Sequence, residues 1–87
     1  MLTDKFTSPN RRSVPDRLFC APNGRTFFIE FKAPGKKPTV QQSRDHDRRC
    51  SLGHHVYVVD DVETGTKIID YEATIAALSV PTESYPV

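Results

Sequence analysis

The sequence predicts an α/β fold with a small central mixed β-sheet flanked by helices, and three stretches carry that prediction. Residues 17–31, "RLFCAPNGRTFFIEF", hold two apolar runs around a turn signal; residues 39–53, "TVQQSRDHDRRCSLG", carry helix-capping residues at both ends; residues 54–60, "HHVYVVD", are rich in β-branched and aromatic side chains. With 87 residues, 37% of them hydrophobic, the chain is expected to form one domain, 1–87, around a single modest core.

Residues 1–14 are polar and interrupted by Pro9, with Pro15 following, so they read as a loosely structured basic arm carrying Arg11 and Arg12. In the hairpin that follows, Pro22, Asn23 and Gly24 suit a type I turn closed by a left-handed glycine. A three-residue loop sets Ala21 opposite Arg25, hence Leu18 opposite Phe28 and Asp16 opposite Glu30. One face then holds Asp16, Glu30 and Lys32 at its open end, continued by Leu18, Cys20 and Phe28; the other holds Phe19, Phe27, Ile29 and Phe31. Two largely apolar faces suit strands buried between layers.

Thr39 can cap the helix, with Gln42 completing a capping box and Gly53 ending it. Val40, Cys50 and Leu52 are its clear apolar residues, while Gln42, His46 and Arg49 lie along a polar side. After the 54–60 strand, "TKIID" (66–70) reads as a short strand or turn, "YEATIAALS" (71–79) as a second helix, and 80–87 as a flexible tail.

The net charge of +1 conceals an asymmetry. Residues 1–50 hold eleven Lys and Arg against five acids, for +6; residues 51–87 hold Lys67 against six acids, for −5. A basic half built around a few acids suits a phosphate-backbone binder, and equally an ordinary solvated surface. Asp16 and Glu30 together form a hard, oxygen-rich cluster that suits Mg²⁺ or Mn²⁺, with Lys32 and Gln42 placed to hold a water. Each piece also has a plainer reading: an exposed Glu30–Lys32 pair, a strand start at Asp16, a helix cap at Gln42. No C-x-x-C or H-x-x-x-H pair supports zinc, and "APGKKPT" lacks the frame of a phosphate-cradling loop. Two cysteines argue against a disulfide scaffold, and no apolar stretch approaches the roughly 20 residues of a membrane span. A soluble cytoplasmic protein is expected.

"KFTSPNRRSVPDRLF", "FFIEFKAPGKKPTVQQ" and "GHHVYVVDD" resemble, in order and spacing, the VRR-NUC branch of the PD-(D/E)XK nuclease superfamily, from about Lys5 to Asp61. The resemblance implies a restriction-endonuclease-like core and a Mg²⁺- or Mn²⁺-dependent DNA endonuclease. It places metal-binding acids at Asp16 and Glu30, a metal-ligating carbonyl at Phe31, the catalytic lysine at Lys32 and the helix glutamine at Gln42. Arg11, Arg12, Arg17, Lys36, Lys37, Arg44, Arg48 and Arg49 would rim the site and hold DNA phosphates. Small free-standing members, typical of phages and bacteria, resemble Holliday junction resolvases and act as homodimers, which implies branched DNA and a second copy as partners in a bacterial cytoplasm. Two departures stand out: Ser13 replaces the family's usual glycine before "VPD", and the family's usual first helix, which carries another glutamate, has no counterpart here. The alternative to cleavage is a DNA-junction binding module with a degenerate nuclease site.

Overall fold

A computed structural model describes residues 1–5 and 15–79 of the chain. Most of the predicted basic arm, including Arg11, Arg12 and Ser13, and the predicted tail lie outside the described residues. The elements are β1 (Leu2–Lys5), β2 (Arg17–Cys20), a 3₁₀ turn (Pro22–Gly24), β3 (Thr26–Phe31), α1 (Val40–Ser51), β4 (Val56–Val59) and α2 (Val62–Leu78). The sheet order is β1-β2-β3-β4, the first two pairings antiparallel and the β3–β4 pairing parallel. This is the expected mixed sheet, with α1 supplying the crossover that a parallel pair requires.

The hairpin register is the expected one: Leu18 faces Phe28 and Arg17 faces Ile29, and Ala21 N–H donates to Arg25 O at 2.7 Å. The turn differs in detail. Asn23, and not only Gly24, lies at positive φ (62° and 79°), a conformation asparagine tolerates better than most residues. Its side-chain amide donates to Ala76 O at 2.8 Å, tying the turn to the end of α2.

Strand periodicity sends Phe19, Phe27 and Ile29 to one side, where they are buried with Val59 and Ala76. Phe19 and Phe27 stack at 4.9 Å, and Tyr57 meets Phe27 edge-on at 6.1 Å. Helix α2 covers this side through Ile68, Ile69 and Ala76. Gly65 permits the close approach, since a Cβ there would sit 3.3 Å from Val59 Cγ1. A fully buried Glu72 lies beneath, accepting from the Arg25 guanidinium and the Tyr57 hydroxyl. Its carboxyl is raised by burial, but the bonds from Arg25 and Tyr57 outweigh that and hold it below the usual range.

Three expectations are corrected. Residues 2–5, assigned to the arm, form the strand β1, exposed along its length and, among the described residues, paired to β2 alone at the edge of the sheet. "TKIID" is neither strand nor turn but the interior of α2: the Asp61 carboxylate caps the helix, accepting from Thr64 N–H at 2.7 Å, so the helix begins at Val62 and continues through Gly65. Phe31, expected in the core, is 44% exposed.

Candidate active site

The site is assembled where β2 and β3 part. The β2–β3 ladder ends at Arg17–Ile29, and beyond it the two acids replace the backbone pairing. Asp16 N–H donates to Glu30 Oε2 at 2.9 Å, and Phe31 N–H donates to Asp16 Oδ2 at 3.0 Å. The two carboxylates are thereby locked opposite one another, Asp16 exposed and Glu30 buried at 2% exposure.

From the other direction comes α1. Thr39 and Gln42 form the expected capping box, Gln42 N–H donating to Thr39 Oγ1 at 3.1 Å and Thr39 N–H to Gln42 Oε1 at 2.9 Å. The same Gln42 amide continues into the site. Lys32 Nζ donates to its Oε1 at 2.9 Å, and its Nε2 donates to Glu30 Oε1 at 2.9 Å. Lys32 Nζ also pairs with that Glu30 oxygen at 3.1 Å. Gln42 is therefore both the helix cap and a hydrogen-bonded neighbour of Lys32 and Glu30. Burial raises the Glu30 pKa, Lys32 opposes that, and the neighbouring Asp16 charge adds to it.

The helix that delivers Gln42 is turned opposite to its apolar residues. Val40 and Leu52 are 71% and 72% exposed, whereas Asp45 and His46 are buried. Asp45 takes ion pairs from Arg48 and Arg49 at 3.7 and 3.8 Å, and the Arg49 guanidinium lies 5.8 Å from the Phe28 ring centre. His46 Nε2 has no hydrogen-bond partner, the one such buried side-chain atom among the described residues, and burial, then the Arg49 charge, hold its pKa below the ordinary value. An absent apolar stripe, together with an acid and a histidine at the spacing of Gln42, was the sequence feature that could have revealed this inward polar side.

The predicted basic rim is dispersed. Lys36 and Lys37 are exposed in the loop before α1, and Arg44 and Arg48 are exposed on α1. Arg49 is mostly covered, and Arg17 pairs with Ile29 and so shares the α2 face of the sheet, not the face of Glu30. Asp60, which the sequence did not single out, accepts from Gly35 N–H at 3.2 Å and moors the "APGKKP" loop.

As a donor set, the residues fit a hard divalent cation. Two carboxylates and the carbonyl of Phe31, which lies past the last β2–β3 pair, are oxygen ligands of the kind Mg²⁺ or Mn²⁺ takes alongside water and phosphate. Among the described residues, no cluster of three or more His, Cys, Asp or Glu side chains could hold a metal, so the side-chain contribution is these two acids.

Comparison with known proteins adds one strong relation. Over 56 residues the chain is 59% identical to "Putative nuclease p44" of Acyrthosiphon pisum secondary endosymbiont phage 1. The match covers 64% of this chain and 60% of that protein's length. No protein-family profile matches the chain. No helix among the described residues is long and apolar enough to cross a membrane.

Proposed function

We propose that this protein is a Mg²⁺- or Mn²⁺-dependent DNA endonuclease of the PD-(D/E)XK type, VRR-NUC branch, acting on branched DNA such as Holliday junctions. The observation that supports this most is the joining of Asp16, Glu30, Lys32 and Gln42 into one hydrogen-bonded cluster from three separate segments. The similarity to a phage protein named as a nuclease supports the reaction class, and a phage-encoded protein of the bacterial cytoplasm is the matching setting.

A bound divalent cation would supply charge neutralisation at the phosphoryl group and a more acidic water. Asp16, Glu30 and the Phe31 carbonyl are the residues that would hold it. Lys32 Nζ, fixed by Glu30 and Gln42, orients the attacking water whose oxygen bonds to phosphorus as a phosphorus–oxygen ester bond breaks and the departing oxygen takes a proton. Exposed Lys36, Lys37, Arg44 and Arg48 hold flanking phosphates. Symmetric cutting of a four-way junction requires two sites, hence a homodimer.

The test is cleavage of a four-way junction with Mg²⁺ or Mn²⁺ by wild type, Glu30→Ala and Lys32→Ala. Nicking by wild type alone is expected; equal nicking by Lys32→Ala removes that lysine from the mechanism. Because the described residues place two acid side chains in the donor set, the second reading is a junction-binding module that does not cut. Calorimetric titration with Mn²⁺ separates the two, since a pure binder need hold no metal at Asp16 and Glu30.

A further inference from the structure

At the end of β3 that carries Glu30 and leads into Lys32, an open cleft of about 630 Å³ lies between Phe31, Pro34 and Val59 on one side and Val62, Thr66 and Ile69 of α2 on the other. Its size falls in the range of small-ligand sites. Strand periodicity explains it: Phe31 pairs with Val59 and shares the α2 face, yet it stays 44% exposed while Val59 is 2% exposed. The result is an open aromatic ring beside a buried apolar floor.

Two features indicate what fits. Phe31 lines the cleft on the α2 face, while its carbonyl and the Lys32 ammonium belong to the candidate active site on the opposite face, so a nucleotide whose phosphate lies at Lys32 reaches the cleft by carrying its base around the end of the strand. Asp60 and Asp61 also line the cleft, and Lys32, the one cation among its described lining residues, is paired to Glu30 at 3.1 Å. Such walls repel phosphate. They suit a group that is apolar on its faces and carries N–H donors on its edge, which the Asp60, Asp61 and Thr66 oxygens can accept.

We propose that this cleft receives an unstacked nucleobase of the strand being cut, so that the substrate is DNA with an unpaired nucleotide beside the scissile bond. The inference rests on the nuclease reading and narrows its substrate class, since a base stacked within a duplex cannot enter. Phe31 supplies the stacking surface and the carboxylates meet the base edge.

The experiment uses branched oligonucleotides with one unpaired position that carries either a thymine, an abasic analogue or a photoreactive 5-iodouracil. Wild type cleaves the thymine substrate about tenfold faster than the abasic one, the loss expected for one base–aromatic stack. In Phe31→Ala and in Thr66→Trp, which fills the cleft from an exposed helical position, that ratio falls to about one. Irradiation without divalent metal cross-links the 5-iodouracil to Phe31, read by mass spectrometry, and circular dichroism verifies that both variants fold. Equal cleavage of thymine and abasic substrates by wild type, or cross-linking elsewhere, overturns the proposal. If wild type cuts no DNA, the nuclease reading fails while the cross-link still decides the cleft. Loss of a dimer in Thr66→Trp with the cross-link absent from Phe31 assigns the cleft to a second copy and overturns the proposal.

Discussion

Replacing Gln42 in two ways separates its roles. Gln42→Ala removes the acceptor of Thr39 N–H and Lys32 Nζ and the donor to Glu30, each contact at 2.9 Å. Losing half of the capping box costs about 1 kcal/mol. Losing a hydrogen bond to a buried carboxylate costs about 1.5 kcal/mol more. Lys32 keeps Glu30 as partner at 3.1 Å, so little is added for its ammonium. The sum, about 2.5 kcal/mol, corresponds to a fall in melting temperature of roughly 10–20 °C for a domain of this size. Gln42→Glu retains both acceptor contacts and a sound capping box, but sets a second carboxylate against Glu30. At neutral pH it should cost about 1.5 kcal/mol or more through the Glu30 contact alone, and recover as pH falls through the carboxylate range, where the new carboxyl gains a proton to donate. Thermal melts by circular dichroism at neutral pH and at about pH 4.5, a value within the carboxylate range, test both. A Gln42→Glu protein as stable as wild type at neutral pH would refute the Glu30 contact; a Gln42→Ala loss below about 0.5 kcal/mol would refute the cap as well.

Lys32→Ala should abolish metal-dependent nicking while a gel shift still shows junction binding; loss of both together would make Lys32 a folding residue. Glu72→Gln should destabilise the domain by about 3 kcal/mol at pH 7, the scale for breaking a buried ion pair. Because Glu72 titrates below its ordinary value when folded, its contribution is present above the unfolded value and lost as pH falls through the folded one. The gap between Glu72→Gln and wild type should therefore narrow below about pH 4 in urea titrations, and a gap independent of pH would contradict the ion pair. Gly65→Leu should lower stability by about 2 kcal/mol through overpacking against Val59, measured by the same titration; an unchanged midpoint would show that α2 can retreat from the sheet.

The hairpin and the clustering of Asp16, Glu30 and Lys32 were legible because a three-residue loop fixes register by geometry, and register fixes which side chains are neighbours. The mixed sheet and the capped α1 followed from equally local rules. The failures have a common cause in tertiary context. β1 is four exposed residues whose pairing to β2 leaves no apolar alternation to read. The front of α2 combines glycine with β-branched Thr66, Ile68 and Ile69, which argues for a strand; the Asp61 cap and the fit of Gly65 against Val59 prevail. Phe31 belongs by periodicity to the core face and escapes burial where α2 gives way to the cleft. The Glu72–Arg25–Tyr57 group joins residues 47 and 15 positions apart, beyond any local pattern.

The inward polar side of α1 has a mechanical meaning. An apolar stripe grips strongly but tolerates rotation and sliding, whereas hydrogen bonds and ion pairs are directional and hold in one orientation only. Helix α1 is fastened to the sheet by the Gln42 bonds to Lys32 and Glu30 and by Arg49 over Phe28, with Asp45 pairing to Arg49 within the helix and Val40 and Leu52 contributing little burial. The fastening is thus precise in aim and modest in strength. Amides of α1 should exchange with solvent through an opening that leaves β2, β3 and α2 intact. The glutamine half of the cluster can then leave and return while the two acids and the lysine stay seated on the sheet.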